Sequence, residues 1–159
     1  MKKLLTSTIT TLLLLTIMAN IGYAAPAARR QVPFMGALHA VESQRVEFPT
    51  LFANGSGSGK ATHLGRFTFS YEVVVDLRTF SGPASAHFVA ANGDSVFAEG
   101  SGQSYATENP NVRRVVETYT ITGGTGRFAQ ASGSFTVKRL VDRTTGATSG
   151  SFAGTICLR

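Results

Sequence analysis

From Arg66 to Asp76 the chain reads Arg-Phe-Thr-Phe-Ser-Tyr-Glu-Val-Val-Val-Asp. Phe67, Phe69, Tyr71, Val73 and Val75 fall on one side, and Thr68, Ser70, Glu72 and Val74 on the other. A helix would scatter these side chains around its circumference. A strand sorts them onto two faces, one apolar and one mostly polar, so the segment is a half-buried β-strand.

The same period recurs. Ala131–Val141 sets Phe135, Val137 and Val141 against Ser134, Thr136 and Lys138. Arg113–Thr122 puts Val115, Glu117, Tyr119 and Ile121 on one face, and Ala147–Leu158 does so with Phe152, Ile156 and Leu158. Ala84–Ala91 and Asp94–Gln103 flank Asn92-Gly93, which predicts a two-residue type I′ hairpin. Residues 104–111 read as a longer loop, and Gly36–Phe48 and Gly57–Thr62 supply two less regular strands. No stretch of the mature part shows helical periodicity.

Eight strands joined mainly by short turns run antiparallel. They bury their apolar faces best by closing on themselves, which also removes exposed edges. The expected fold is therefore all-β, an eight-stranded antiparallel up-and-down β-barrel, with a two-sheet sandwich as the competing architecture. A membrane barrel would need an apolar outer belt. Arg66, Ser70, Glu72, Ser134 and Lys138 occupy that side instead, so no stable membrane insertion is expected.

The amino-terminal segment has a different grammar. Met1-Lys2-Lys3 is followed by an uncharged run from Leu4 to Met18 and then by Ile21-Gly22-Tyr23-Ala24. This is the three-part layout of an export signal, with cleavage expected after Ala24. The expected organisation is a signal peptide over 1–24, a flexible lead-in over 25–33 containing Pro26 and Pro33, and one barrel domain over 34–159, secreted or periplasmic. The single Cys157 forms no internal disulfide. Removing Lys2 and Lys3 lowers the formal charge from +6 to +4, and the remaining basic residues are dispersed along the chain. Nucleic-acid binders cluster such charge on one face, so a nucleic-acid partner is not expected.

Ile121-Thr-Gly-Gly-Thr-Gly-Arg-Phe-Ala-Gln-Ala-Ser-Gly133 resembles the T-G-G-[ST]-G-x-F-x-x-A-x-G signature of the barrel shared by allene oxide cyclases and dirigent proteins. Gly59–Phe67 and Ala90–Asp94 look like secreted bacterial members of unknown role. The resemblance implies an eight-stranded, calycin-like barrel with an apolar cavity, often trimeric. Plant cyclases of this type close a reactive allene oxide into a ring, and dirigent proteins steer radical coupling. The cyclases place a carboxylate, an Asn and a Ser-Pro pair near their first strand. Here that region is Leu38-His-Ala-Val-Glu-Ser-Gln-Arg-Val-Glu-Phe-Pro49. Glu42 and Pro49 are present, but the spacing and the Ser-Pro pair are not, so no catalytic role is transferred. The motif also has a structural meaning of its own: its glycines turn the chain, Phe128 can plug one end, and Gly133 can bend a strand.

Most chemical motifs fail on inspection. Asn54-Gly-Ser-Gly-Ser-Gly-Lys-Ala61 departs from the phosphate-binding loop at both ends and reads as a flexible turn or bulge. His39, His63 and His87 have no metal-site spacing, so neither metal nor cofactor is expected. No G-x-S-x-G nucleophile elbow occurs. Two acids stand out because they alternate with apolar residues, Glu117 with Val115 and Tyr119, and Glu99 with Phe97. Facing inward, each would sit in low dielectric, as catalytic acids often do. The alternatives are a bulge that turns them outward, or pairing with Arg113 or Arg139. Phe67, Phe69, Tyr71, Phe88, Phe97, Tyr119 and Phe135 either line a ligand cavity or fill a solid core.

Three functions follow from these features. The first is non-catalytic binding of a small apolar molecule in the lumen, with Glu99, Glu117 and the seven aromatics as candidate contacts. The second is a cofactor-free cyclase or isomerase, and the third a structural or surface-interaction protein with no ligand. The form of the cavity separates them.

Overall fold

The computed structural model describes residues 30–158. The expected signal peptide, 1–24, and residues 25–29 of the lead-in lie outside the described residues. Eight strands follow one another: β1 Arg30–Glu47, β2 Thr50–Ala61, β3 Gly65–Asp76, β4 Ser81–Ala90, β5 Ser95–Ala106, β6 Val112–Gly124, β7 Ser132–Asp142 and β8 Ala147–Leu158. Each pairs antiparallel with its sequence neighbours, and β1 pairs with β8 to close an eight-stranded barrel. The sole helical element among the described residues is a single 3-10 turn, Gly126–Phe128.

The alternation sets the faces as expected. On β3, Phe67, Phe69, Tyr71 and Val73 are buried while Arg66, Thr68, Ser70, Glu72 and Val74 are exposed. Phe135, Val137 and Val141 on β7 and Phe152 and Ile156 on β8 also point into the lumen. Phe128 is fully buried against one end of the barrel, the plugging role its sequence position suggests.

Four local expectations are corrected. The lead-in ends earlier than residue 33, because Arg30 to Pro33 already pair with Leu158 to Thr155 of β8. Ladder pairing with β2 starts only at Gly36, so Pro33 stands where β1 still has an unpaired side, and an edge tolerates proline. The Asn92-Gly93 hairpin has a three-residue loop. Gly93 N–H donates to Ala90 O at 2.9 Å and Ala90 N–H to Asp94 O at 2.8 Å, with Gly93 at φ +88°. That is a type I turn closed by a glycine in the left-handed region, the next most common hairpin after the two-residue form. The loop over 104–111 is shorter, since β5 runs to Ala106 and β6 starts at Val112.

The fourth correction concerns Asn54–Ala61, which is unbroken strand, paired with β1 on one side and β3 on the other. Its glycines face inward, and they are there for room. A Cβ on Gly59 would stand 2.5 Å from Phe67 Cζ, and one on Gly55 2.5 Å from the Tyr71 hydroxyl. Neighbouring β3 lays its aromatic rings over this glycine stripe. The small residues of β2 and the large ones of β3 are therefore one packing decision.

The lumen is divided along its length. At the plugged end Phe34, Phe67, Phe88, Phe135 and Phe152 pack edge to face and tilted, with ring centroids 5.0 to 6.5 Å apart. Such separations are those of favourable aromatic pairs. At the opposite end the hairpin tips lean on one another. Leu77 N–H donates to Pro49 O, Ser104 N–H to Phe80 O, and Arg143 N–H to Asn111 O, each at 2.8 Å. These bonds tie neighbouring tips together around a mouth that the aromatics do not fill.

Candidate functional site

A cavity of about 130 Å³ opens at that mouth. Its walls are Leu51 and Ala53 of β2, Val73 and Val75 of β3, Val115 of β6 and Val141 of β7, with Leu77 and Phe80 from the β3–β4 turn. Glu42, Glu117 and Arg139 form its inner end, and Gln44, Gln103, Ser104, Arg113 and Arg143 stand around its rim.

The inner end is an ion network. The Arg139 guanidinium donates from Nε to Glu117 Oε2 at 3.0 Å and from Nη2 to Glu117 Oε1 at 2.9 Å. Its Nη1 donates to Glu42 Oε2 at 2.7 Å and lies 3.2 Å from the Tyr71 hydroxyl. Tyr71 in turn donates to Glu42 Oε2 at 2.8 Å, and Gln44 Nε2 donates to Glu42 Oε1 at 2.6 Å. The guanidinium also lies 4.6 Å from the Tyr71 ring centroid, a cation–π contact. Every charged side chain here is almost wholly removed from water, at 5% exposure or less.

Local sequence explains how three charges reach one buried point. Glu42 continues the inward row of Leu38 and Ala40 on β1, Glu117 lies between Val115 and Tyr119 on β6, and Arg139 lies between Val137 and Val141 on β7. Glycine makes the space. A Cβ on Gly102 would stand 2.6 Å from Glu117 Cγ, and one on Gly150 2.7 Å from Arg139 Cβ. Two carboxylates and one guanidinium leave one formal negative charge. Burial works most strongly against the charged guanidinium, but Glu117, through charge and hydrogen bonds, with Tyr71 and Glu42 together outweigh burial and hold Arg139 protonated well above its ordinary range. Burial pushes the Tyr71 phenol far up as well; Arg139 opposes this and Glu42 adds to it. Tyr119 is raised in the same way, by burial and then by Glu117.

Between the network and the aromatic plug lies a space of about 20 Å³, bordered by Phe69, Phe88, Tyr71, Glu117, Tyr119 and Arg139. It is large enough for one water molecule and offers it several polar partners. It is too small for anything larger, so the plug and the network separate the cavity from the closed end.

The candidate residues named from sequence fall into three groups. Tyr71 and Glu117 belong to the network, and Glu117 reaches the cavity. Phe67, Phe69, Phe88, Tyr119 and Phe135 are buried in the packed part of the lumen and do not line the cavity at the mouth. Phe97 and Glu99 are corrections: both face outward, with Phe97 40% exposed and its ring 4.7 Å from that of His87. The inward residues of β5 are Val96, Ala98, Gly100 and Gly102. A Phe and a Glu at 97 and 99 form an apolar-acidic row by sequence, but the lumen beside Phe88 and Glu117 has room only for small residues, and that decides the facing of β5.

Sequence reasoning missed Glu42 and Arg139 as site residues. The signal was the one that found Glu117, a charge in register with inward apolar residues: Leu38 and Ala40 before Glu42, Val137 and Val141 around Arg139. The pairing of Glu117 with Arg139 is one of the alternatives that the sequence leaves open. Among the described residues no three metal-binding side chains come together. No protein-family model matches the chain, and no curated protein matches it closely enough to count as a relative.

Proposed function

We propose that this barrel is a small-molecule binding protein that acts outside the cytoplasm, receiving a molecule with an apolar body in the open end of its lumen. The carrying observation is the division of that lumen. One end is packed solid with phenylalanine, whereas the other keeps a cavity of about 130 Å³ with aliphatic walls. An apolar engineered cavity of ~150 Å³ accepts a benzene ring, so the body that fits is about one six-membered ring. Placement outside the cytoplasm rests on the leader-like layout of Met1 to Ala24. Kinship with the allene oxide cyclase and dirigent barrel rests on residues 121–133 together with the up-and-down strand order.

Binding is preferred to chemistry because of Arg139. Both carboxylates at the inner end are taken up by its guanidinium, Glu117 through two bonds, which ties up the lone pairs a general base would use. A cofactor-free cyclase or isomerase is the second reading, favoured by the single fact that Glu42 and Glu117 border the cavity.

The test has two parts. Native mass spectrometry of protein from the producing cell should show a retained small molecule, and incubation should leave it unchanged; conversion to a new mass supports the second reading. Purified protein should bind 2-phenylethanol with a dissociation constant of about a millimolar or tighter, as expected for so few heavy atoms. Val115→Trp, which fills the cavity, should abolish this. Equal binding by the filled variant sinks the proposal.

A further inference from the structure

The cavity carries more charge than its inner network uses. Three arginines and two glutamates border it. Arg139 accounts for both glutamates, which leaves Arg113 and Arg143 at the rim. Neither forms an ion pair among the described residues.

Arg113 is held in place. Its Nε donates to Ser104 Oγ at 3.0 Å and its Nη2 to Ser104 O at 3.1 Å, with the guanidinium 4.8 Å from the Phe80 ring centroid. Nη1 is left with no protein acceptor among the described residues. Arg143 is fixed at its backbone by Asn111 O, and its guanidinium has no hydrogen-bond partner among the described residues. The nearest acid in sequence, Asp142, accepts the N–H groups of Thr144 and Thr145 on its Oδ1 and forms no ion pair with Arg143. Two guanidinium groups thus stand without an acid partner at the entrance of an apolar hole, Arg113 with Nη1 free and Arg143 with its whole fork. A planar fork matches a carboxylate, and one already held in place loses little freedom on pairing.

The inner end fixes which way round such a molecule sits. Glu42, Glu117 and Arg139 together carry one formal negative charge, so an anionic group entering first would meet like charge and lose its water. Its apolar body must enter and its charge must stay at the rim.

Building on the ligand-binding reading above, we propose that the ligand is an amphipathic anion, a compact ring-sized apolar body bearing a carboxylate that Arg113 and Arg143 engage at the mouth.

Two probes of nearly equal shape test this, phenylacetate and neutral 2-phenylethanol, titrated by NMR into the mature protein at neutral pH and low salt. Phenylacetate should bind about tenfold more tightly, and added salt should shrink the difference. Arg143→Gln should weaken phenylacetate about fivefold and leave 2-phenylethanol within about twofold, and Arg113→Gln should weaken phenylacetate at least as much. Lys60→Gln, on the outer face of β2, should change neither. Arg143 is exposed, so its variant keeps the fold even where Arg113→Gln disturbs the rim by releasing Phe80. Equal affinities for the two probes, indifferent to Arg143→Gln, overturn the anion proposal while ligand binding stands. Failure of both probes to bind wild-type protein overturns the ligand-binding reading and this inference with it.

Discussion

Arg139 meets Glu117 edge to edge, with two N–H to oxygen bonds of 3.0 and 2.9 Å, from neighbouring strands and with both side chains almost wholly buried. The pairing fixes the rotamers of both side chains and presents the same guanidinium to Glu42 across the lumen. The inner end of the cavity is therefore rigid, and its charges are mutually satisfied rather than poised for proton transfer.

Breaking this pair from one side should cost far more than removing it whole. Arg139→Met leaves two buried carboxylates facing each other and should destabilise the barrel by about 3–5 kcal/mol. The triple variant Arg139→Met, Glu42→Gln, Glu117→Leu removes the stranded charges and should recover most of that loss. Urea unfolding of the two variants checks this, and equal midpoints would show that the network carries no such penalty.

The glycine stripe of β2 makes a second contrast. Gly59→Ala forces a methyl against the Phe67 ring and the Ala37 carbonyl, and should cost about 1–3 kcal/mol as overpacking does. Ser58→Ala, one residue away on the exposed face, should stay within about 0.5 kcal/mol. If 54–61 were a loop, both changes would be tolerated alike, so thermal melts of the pair decide between the two.

The period of two carried most of the fold: β3, β6, β7 and β8 have the faces their alternation predicts, and closure follows from eight such strands needing cover. It failed where small residues dominate. Gly55, Gly57 and Gly59 carry no hydrophobic signal, and their inward facing is set by the rings of Tyr71 and Phe67 on another strand. It failed on β5 for a related reason. Val96-Phe97-Ala98-Glu99 is ambiguous alone, and only the bulk of the opposing side chains selects Val96 and Ala98 for the lumen. Glu117 was legible because its neighbours at two-residue spacing are large and apolar. The mouth was not, because its residues come from the ends of several strands and from two turns, a convergence that no periodicity encodes.

At alkaline pH, Tyr71 and Tyr119 should act as a stability sensor. Burial raises both phenols far above their ordinary range, so the folded protein keeps them protonated while an unfolded chain releases both protons near pH 10. Their contribution to stability is full below that value and falls as pH climbs above it, since the unfolded state then binds fewer protons. The ultraviolet phenolate signal of these two residues should rise only together with the loss of β circular dichroism. Phe substitution at Tyr119 should remove one proton from the transition. Phenolate formation at Tyr71 or Tyr119 ahead of unfolding would mean that the inner end of the cavity admits bulk water.

The outward facing of β5 gives the sharpest test of strand register, because one residue's slip would exchange every side chain across the wall. Phe97→Ser and Glu99→Gln change groups that meet solvent and the His87 ring, and should alter stability by about 0.5 kcal/mol or less. Neither should affect the binding of 2-phenylethanol. Phe88→Ala, on β4 with its ring against Phe34, Phe67 and Phe135, opens a hole in the packed lumen and should cost about 3–5 kcal/mol. A loss at Phe97→Ser comparable to that at Phe88→Ala would require Phe97 inside and Val96 and Ala98 outside. Gly100 and Gly102 would then face solvent too, leaving Glu117 without the space that Gly102 now gives it.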